Sequence, residues 1–190
     1  NFGFAYGGPN TAVRPAKMAL GFTDGRDEVA ADELMFPNGA VITPDGRISE
    51  PVKGVPAVFT QQQGGLLDVA LDPEFSKNHL IYLSYAEPEG SKAGTAVAKA
   101  ELKDGRLEKL QVIFRQLPKA HGGVHFGSRL AFSPDGNLFI TLGDRGNHMD
   151  EAQQLNNHFG KIIRIRPDGS VPADNPFVKN PKAKPEIWSY

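Results

Sequence analysis

The chain contains no cysteine, which excludes disulfide frameworks and thiolate chemistry and leaves the redox compartment open. It has no apolar run approaching the ~20 residues that span a bilayer, so no membrane partner is expected. It has no surplus of either charge: 21 Lys and Arg stand against 22 Asp and Glu, a formal net charge of −1. A global basic field for nucleic acid or anionic lipid is therefore missing, and no nucleic-acid partner is expected. Neither a methionine nor a leader precedes Asn1, from which a processed, truncated or engineered chain is expected.

What the chain has in excess is turn residues, 21 glycines and 15 prolines among 190. Glycine permits positive φ and proline pre-sets φ, so such density points to many short elements joined by tight turns. With 39% hydrophobic and 23% charged residues the chain can still bury a core, which argues against wholesale disorder.

Short apolar or alternating runs recur at Ala40–Thr43, Leu66–Leu71, Leu80–Tyr85, Leu110–Arg115, Arg129–Ser133, Asn137–Leu142 and Lys161–Arg166. Each is bounded by Gly, Pro, Asp or Asn, the mark of strands and turns. Two stretches invite a helix: Arg26–Leu34, which is too polar to convince, and Met149–Leu155, about two turns long. The chain is expected to be all-β.

The runs also resemble one another. A strand followed by Pro-Asp-Gly occurs at Pro44-Asp45-Gly46, Pro134-Asp135-Gly136 and Pro167-Asp168-Gly169, with Asp72-Pro73 as a further variant. Repeated antiparallel units of this kind suggest β-propeller blades, whose radial repetition protects strand edges. A β-sandwich with similar turns is the alternative. Blades at the large end run to roughly 50 residues, so 190 residues supply about three to four of a six-bladed type ring. Such a ring stays incomplete unless closed by self-association, since unpaired blade edges invite a second chain. Either the chain is a fragment or, as we expect, it is a homo-oligomer in which two copies close a ring.

One hairpin carries chemistry. His125 lies eight residues before Ser133 and Asp144 eight after Gly136, the two ends of the Ser133-Pro134-Asp135-Gly136 turn. Residues equidistant from a hairpin turn face each other across an antiparallel ladder, so the two should meet at its open end. A bulge would shift this register by one. A carboxylate beside a histidine fixes the tautomer and stabilises the imidazolium of a general base. The same pair serves equally well as a structural hydrogen bond. Gly122, Gly123, Gly127, Gly143 and Gly146 around it suggest close approach of a ligand to the backbone. His121 and His125 are four apart, but the intervening glycines oppose the helix that would align them as metal ligands.

Gln63 lies ten residues before Pro73, and His125 nine before Pro134. They hold nearly equivalent places ahead of two blades, and equivalent places gather on one face of a propeller. A glutamine there offers a donor and an acceptor for a polyol or a quinone carbonyl. A solvated polar loop is the plainer reading.

Residues from about Asp45 to Tyr190 resemble the soluble pyrroloquinoline-quinone (PQQ) sugar dehydrogenases of the glucose/sorbosone and aldose sugar dehydrogenase type. The likeness rests on Gln63-Gly64-Gly65-Leu66-Leu67 with Asp72-Pro73-Glu74-Phe75, His125-Phe126-Gly127-Ser128-Arg129-Leu130, and Leu142-Gly143-Asp144. Gly160-Lys161-Ile162-Ile163-Arg164, Asp168-Gly169-Ser170-Val171-Pro172, Asp174-Asn175-Pro176 and Ile187-Trp188-Ser189-Tyr190 complete it. The resemblance implies a six-bladed propeller that oxidises the C1 hydroxyl of an aldose to a lactone with calcium-assisted PQQ. It implies that His125 is the catalytic base, Asp144 its supporting carboxylate, and Gln63 a substrate- and cofactor-side residue. The PQQ-contacting arginine and asparagine and the calcium ligands of that family are expected after Tyr190. Localisation by family inheritance is periplasmic or secreted.

The first 47 residues are similar to the gluconolactonase/regucalcin propellers. This likeness rests on Asn1-Phe2-Gly3-Phe4, Val13-Arg14-Pro15 and the stretch from Met35 through Asn38 to Arg47. It implies that Asn38 matches a metal-ligating asparagine, although a turn asparagine before glycine reads the same. A segment 1–47 joined to blades 48–190 within one continuous propeller-type domain is thus expected, with a chimera cut at homologous turns as its explanation. The functional expectation is a PQQ-dependent aldose dehydrogenase or its remnant. An inactive, self-associating half-propeller is the alternative, and a metal-dependent lactonase the third reading.

Overall fold

The computed structural model describes residues 51–190 and, ahead of them, two strands, β1 (Ala16–Gly21) and β2 (Asp27–Leu34). The chain divides into two compact units, Asn1–Pro51 and Val52–Tyr190. In the first, β1 and β2 pair antiparallel, from Ala16 against Leu34 to Gly21 against Asp27. Asp27–Leu34, from the polar stretch that invited a helix, is thus a strand; it has no apolar stripe for a helix to bury.

The second unit holds two four-stranded antiparallel sheets. Strands β3 (Leu66–Leu71), β4 (Leu80–Glu89), β5 (Lys92–Lys103) and β6 (Arg106–Arg115) form the first, in chain order across the sheet. Strands β7 (Gly127–Phe132), β8 (Leu138–Leu142), β9 (Ile162–Ile165) and β10 (Ile187–Ser189) form the second, again in chain order. The first strands of the two sheets pack together: Asp68 of β3 accepts the Leu130 N–H of β7 at 2.8 Å and meets Arg129 at 3.3 Å. Meanders whose inner strands neighbour each other are propeller blades. The architecture is all-β, and the described residues contain two full blades.

Turn chemistry sets the meanders. Asp104 and Gly105, at φ +47° and +71°, close β5 onto β6 in a two-residue hairpin, the backbone that Asp-Gly favours because both central residues need positive φ. Strand β5 escapes a reading based on β-branched and aromatic residues, because its apolar side chains are mostly alanines. Ala93, Ala96, Ala98 and Ala100 are all buried, in a strand hydrogen-bonded on both edges by β4 and β6. Met149–Leu155, expected as two helical turns, contains a single 3₁₀ turn, Met149–Glu151. Nothing in this short acidic stretch supplies the apolar face that would hold a longer helix. A one-turn helix, α1 (Phe75–Asn78), follows β3 instead.

The main core is built by both sheets together. Tyr82, Val97 and Phe114 of the first pack with Leu130, Leu138, Ile140, Leu142, Ile163, Ile165 and Ile187 of the second. Ile81, Leu83, Tyr85, Ala96, Ala98, Ala100 and Leu107 form a separate cluster. The alternation along β4 produces this division, since successive residues point to opposite faces. Buried hydroxyls join the seam: Ser84 Oγ donates to the Ser128 carbonyl at 2.7 Å, and Thr95 Oγ1 donates to the Phe126 carbonyl at 3.0 Å.

Ile140 has no exposed surface, whereas Val69 on the inner strand is 60% exposed. Ile140→Ala should therefore lower unfolding free energy by about 2–5 kcal/mol in urea titration. Val69→Ala should stay within about 0.5 kcal/mol of the native chain.

Candidate functional site

Three loops converge where the inner strands begin. The loop 61–65 enters β3, the loop 120–126 enters β7, and the loop 143–148 leaves β8. The second of these carries His125, and the third carries Asp144.

The β7–β8 hairpin brings that pair together by two cancelling departures from simple register. At the turn, Phe132 pairs with Leu138 and Leu130 with Ile140, so five residues, 133–137, lie outside the ladder rather than the expected four. Further on, a bulge between Gly127 and Leu130 inserts one extra residue into β7, so Gly127 pairs with Leu142. The bulge restores the register that the longer turn had shifted. His125 Nδ1 consequently lies 2.8 Å from Asp144 Oδ1.

Asp144 Oδ1 also accepts the Gly146 N–H at 2.8 Å. This backbone bond first, and the His125 ring second, hold the Asp144 carboxyl below its ordinary range. An ionised Asp144 accepts from a protonated Nδ1, which leaves Nε2 of neutral His125 as a bare acceptor. The His125 side chain is 55% exposed.

Two further histidine–carboxylate pairs went unnoticed in the sequence, because their spacing carries no hairpin symmetry. His158 Nε2 lies 2.8 Å from Glu186, its Nδ1 accepts the Leu117 N–H, and its side chain is only 1% exposed. Burial pushes the Glu186 carboxyl up, yet the His158 bond and its other partners bring it below its ordinary range. Both ring nitrogens are used internally, so this pair is structural. His148 lies 2.6 Å from Glu151 and stacks on Phe159 at 4.1 Å. Of the three histidines His125 is the most open.

Gln63 sits where the equivalence of the repeats puts it. Its main-chain N–H donates to the Gly123 carbonyl at 2.7 Å, and its side-chain Oε1 accepts the His125 N–H at 2.9 Å. The neighbouring Gln62 accepts the Gly123 N–H at 3.1 Å. Gln63 thus holds the His125 loop through its side-chain oxygen.

The glycines play a different part from the one expected. A Cβ on Gly143 would lie 2.0 Å from the His125 carbonyl oxygen, and one on Gly123 2.4 Å from the Gln61 oxygen. One on Gly127 would meet the Gly143 nitrogen at 2.7 Å, and one on Gly146 a Val124 methyl at 2.9 Å. Gly123, Gly127 and Gly143 let protein backbones touch each other and Gly146 makes room for the Val124 side chain; of the five, Gly122 alone opens onto free space. Sequence reading also passed over Arg145, which is buried behind the His125 loop with its guanidinium 3.7 Å above the Phe126 ring. Burial pushes the Arg145 guanidinium down to about 10.

Among the described residues no three His, Asp or Glu side chains converge as a metal site. Asn38 lies outside the described residues.

Comparison with known proteins adds the following. A family model described as glucose/sorbosone dehydrogenase matches residues 38–190. This match includes Asn38 and the turn at Pro44-Asp45-Gly46 where a join was expected. The aldose sugar dehydrogenase YliI of Escherichia coli (strain K12) is 46% identical over 146 residues, covering 75% of this chain and 39% of that protein. The crystal structure of the soluble aldose sugar dehydrogenase of Escherichia coli, in its apo form, superposes with a TM-score of 0.75 at 37% identity. It covers 92% of this chain and 50% of its own. The PQQ-bound aldose sugar dehydrogenase of Streptomyces coelicolor gives a TM-score of 0.65 at 27% identity, over 93% of this chain and 50% of its own. The chain therefore spans two fifths to one half of the length of these relatives.

Two outcomes follow from the site geometry. Gly143→Ala should displace the His125 carbonyl and weaken the His125–Asp144 contact, seen as loss of its slowly exchanging imidazole N–H proton in NMR spectra. The folded-state pKa of Asp144 lies below its unfolded value. Its stabilising contribution is therefore full above the ordinary aspartate value of about 3.9 and is lost as pH falls through the folded value. Acid titration of the His125 ring signals should show the pair separating only below that range.

Proposed function

This chain belongs to the glucose/sorbosone dehydrogenase family, and from that premise we propose that it is the proton-abstracting portion of an aldose sugar dehydrogenase. The observation that carries this reading is the 2.8 Å contact from His125 Nδ1 to Asp144 on an imidazole whose side chain is more than half exposed.

Oxidation of an aldose at C1 removes a hydroxyl proton and a hydride from the same carbon centre, leaving a lactone. His125 Nε2 takes the hydroxyl proton. Asp144 keeps Nδ1 protonated beforehand and stabilises the imidazolium afterwards, which is how an orienting carboxylate assists a base. Gln63, whose oxygen is engaged by the His125 main chain, directs its –NH₂ donors to a sugar oxygen or a quinone carbonyl. PQQ, when bound, supplies the two-electron acceptor for the hydride.

The donors present fit the reacting end of such a quinone and its sugar: an open imidazole and a carboxamide on adjacent loops. Among the described residues no three acidic or histidine side chains converge, in keeping with a reading in which any calcium ligands lie elsewhere. Calcium is accordingly given no part in the proton transfer. The periplasm is the compartment that the family reading suggests. No helix among the described residues is long and apolar enough to cross a membrane.

A second reading has its own observation. Val69 and Leu71 of β3 are 60% and 54% exposed, on the innermost strand of a blade. Self-association that completes a ring would cover them. The two readings are compatible, since a completed ring would add the walls that one chain omits.

Dye reduction with PQQ, calcium and glucose tests the first reading. His125→Ala should abolish turnover, and Asp144→Asn should lower kcat by roughly 10²–10⁴, the usual contribution of positioned acid–base groups. Turnover by the native chain no higher than by His125→Ala would end the dehydrogenase reading. Gel filtration tests the second, and a monomer would rule out ring completion between copies.

A further inference from the structure

The loop ahead of β7 raises an accounting problem in hydrogen bonds, and one residue resolves most of it. Carbonyls 122 to 126 lie in irregular chain, and each needs a donor. Gly123 receives the Gln63 N–H at 2.7 Å and Phe126 the Gly143 N–H at 3.0 Å. The other three all turn to one residue. Arg145 Nη2 donates to Gly122, Nε donates to Val124 at 2.8 Å, and the Arg145 main-chain N–H donates to His125 at 3.2 Å. Nη1 reaches away from the loop to the Ala93 carbonyl of β5, in the other blade.

Among the described residues, every hydrogen bond of this guanidinium ends on a main-chain carbonyl. A buried cation ordinarily keeps a carboxylate beside it, because desolvation is costly; here the Phe126 ring and the carbonyl dipoles take that place. Only arginine has a planar fan of N–H donors able to reach three carbonyls at once. The backbone here also contains strain that needs holding: His125 adopts φ +52° and Arg145 φ +58°, a left-handed region unfavourable for a non-glycine residue.

We infer that Arg145 is the positioning residue of His125, fixing the main chain on both sides of the base while its neighbour Asp144 fixes the ring. This deepens the reading of His125 as the base and rests on it. The bond to Ala93 ties the same guanidinium to the neighbouring blade, so the base is located relative to both sheets.

NMR on the native chain and on Arg145→Lys tests this directly. Lysine keeps the charge and most of the bulk but presents a single nitrogen. The amide shifts of β5, β8 and β9 should persist. The His125 Nδ1 proton held by Asp144 should disappear, and the His125 amide should exchange at least about tenfold faster, as in a local opening. An unchanged Nδ1 proton and unchanged exchange would overturn the inference, as would an equal acceleration at every blade amide. Should Arg145→Lys fail to fold, Phe126→Leu removes the ring beneath the guanidinium and should produce the same two changes to a lesser degree. Their absence, or failure of both variants to fold, would make Arg145 a requirement of the blade alone. Dye reduction separates the two levels: a chain with no turnover that still loses the His125 signals in Arg145→Lys would sink the base and keep the positioning role.

Discussion

The site depends on one constraint: the main chain at His125 is held in a left-handed conformation by donors and acceptors from loops remote in sequence. Its N–H goes to Gln63, its carbonyl to the N–H of Arg145, and its ring to Asp144. A histidine relaxes readily out of positive φ unless its surroundings over-determine it. Here the surroundings come from both blades, so the position of His125 reports the packing of one sheet against the other.

That packing is polar where the strands begin and apolar deeper in. Ser84 and Thr95 of the first blade donate to carbonyls at the start of β7, at the bulge that restores the hairpin register. Below them Tyr82, Val97 and Phe114 interdigitate with the isoleucines and leucines of the second blade. Buried hydroxyls are directional and apolar contacts are not. The seam therefore gains cohesion from its depth and alignment from its rim. The glycines belong to the same device. Gly123 and Gly143 remove the Cβ atoms that would hold the loops apart, which makes them packing residues first and ligand-facing residues hardly at all.

Three histidine–carboxylate pairs occur in the second blade and its entry loop, and chemistry separates them only through exposure. His158 uses both ring nitrogens inside the protein. His148 is covered on one face by Phe159. His125 alone combines an ionised partner on one nitrogen with a largely open ring, the arrangement that a base requires. The stretch that matches the glucose/sorbosone dehydrogenase model, 38–190, contains all three pairs, and hydrogen bonding with exposure is what separates His125 from the other two.

Much of this was legible in the amino-acid order. Strands β3, β4, β7, β8 and β9 and the turns at Pro134-Asp135-Gly136 and Pro167-Asp168-Gly169 follow from local rules, while the His125–Asp144 pairing was legible only because a bulge in β7 cancels the extra residue of the turn. Strand β5 was not legible, since alanines become strand-forming only when both neighbours leave no room for more. Nor was Arg145: a charged residue reads as surface until three carbonyls and an aromatic ring from elsewhere in the chain enclose it. The sequence by itself determined which residues could form the pair. The tertiary structure decided that the pair is open, that Gln63 holds its main chain, and that a buried arginine stands behind it. Those properties belong to contacts between segments some 20 to 60 residues apart, whose relative placement only the packed blades define.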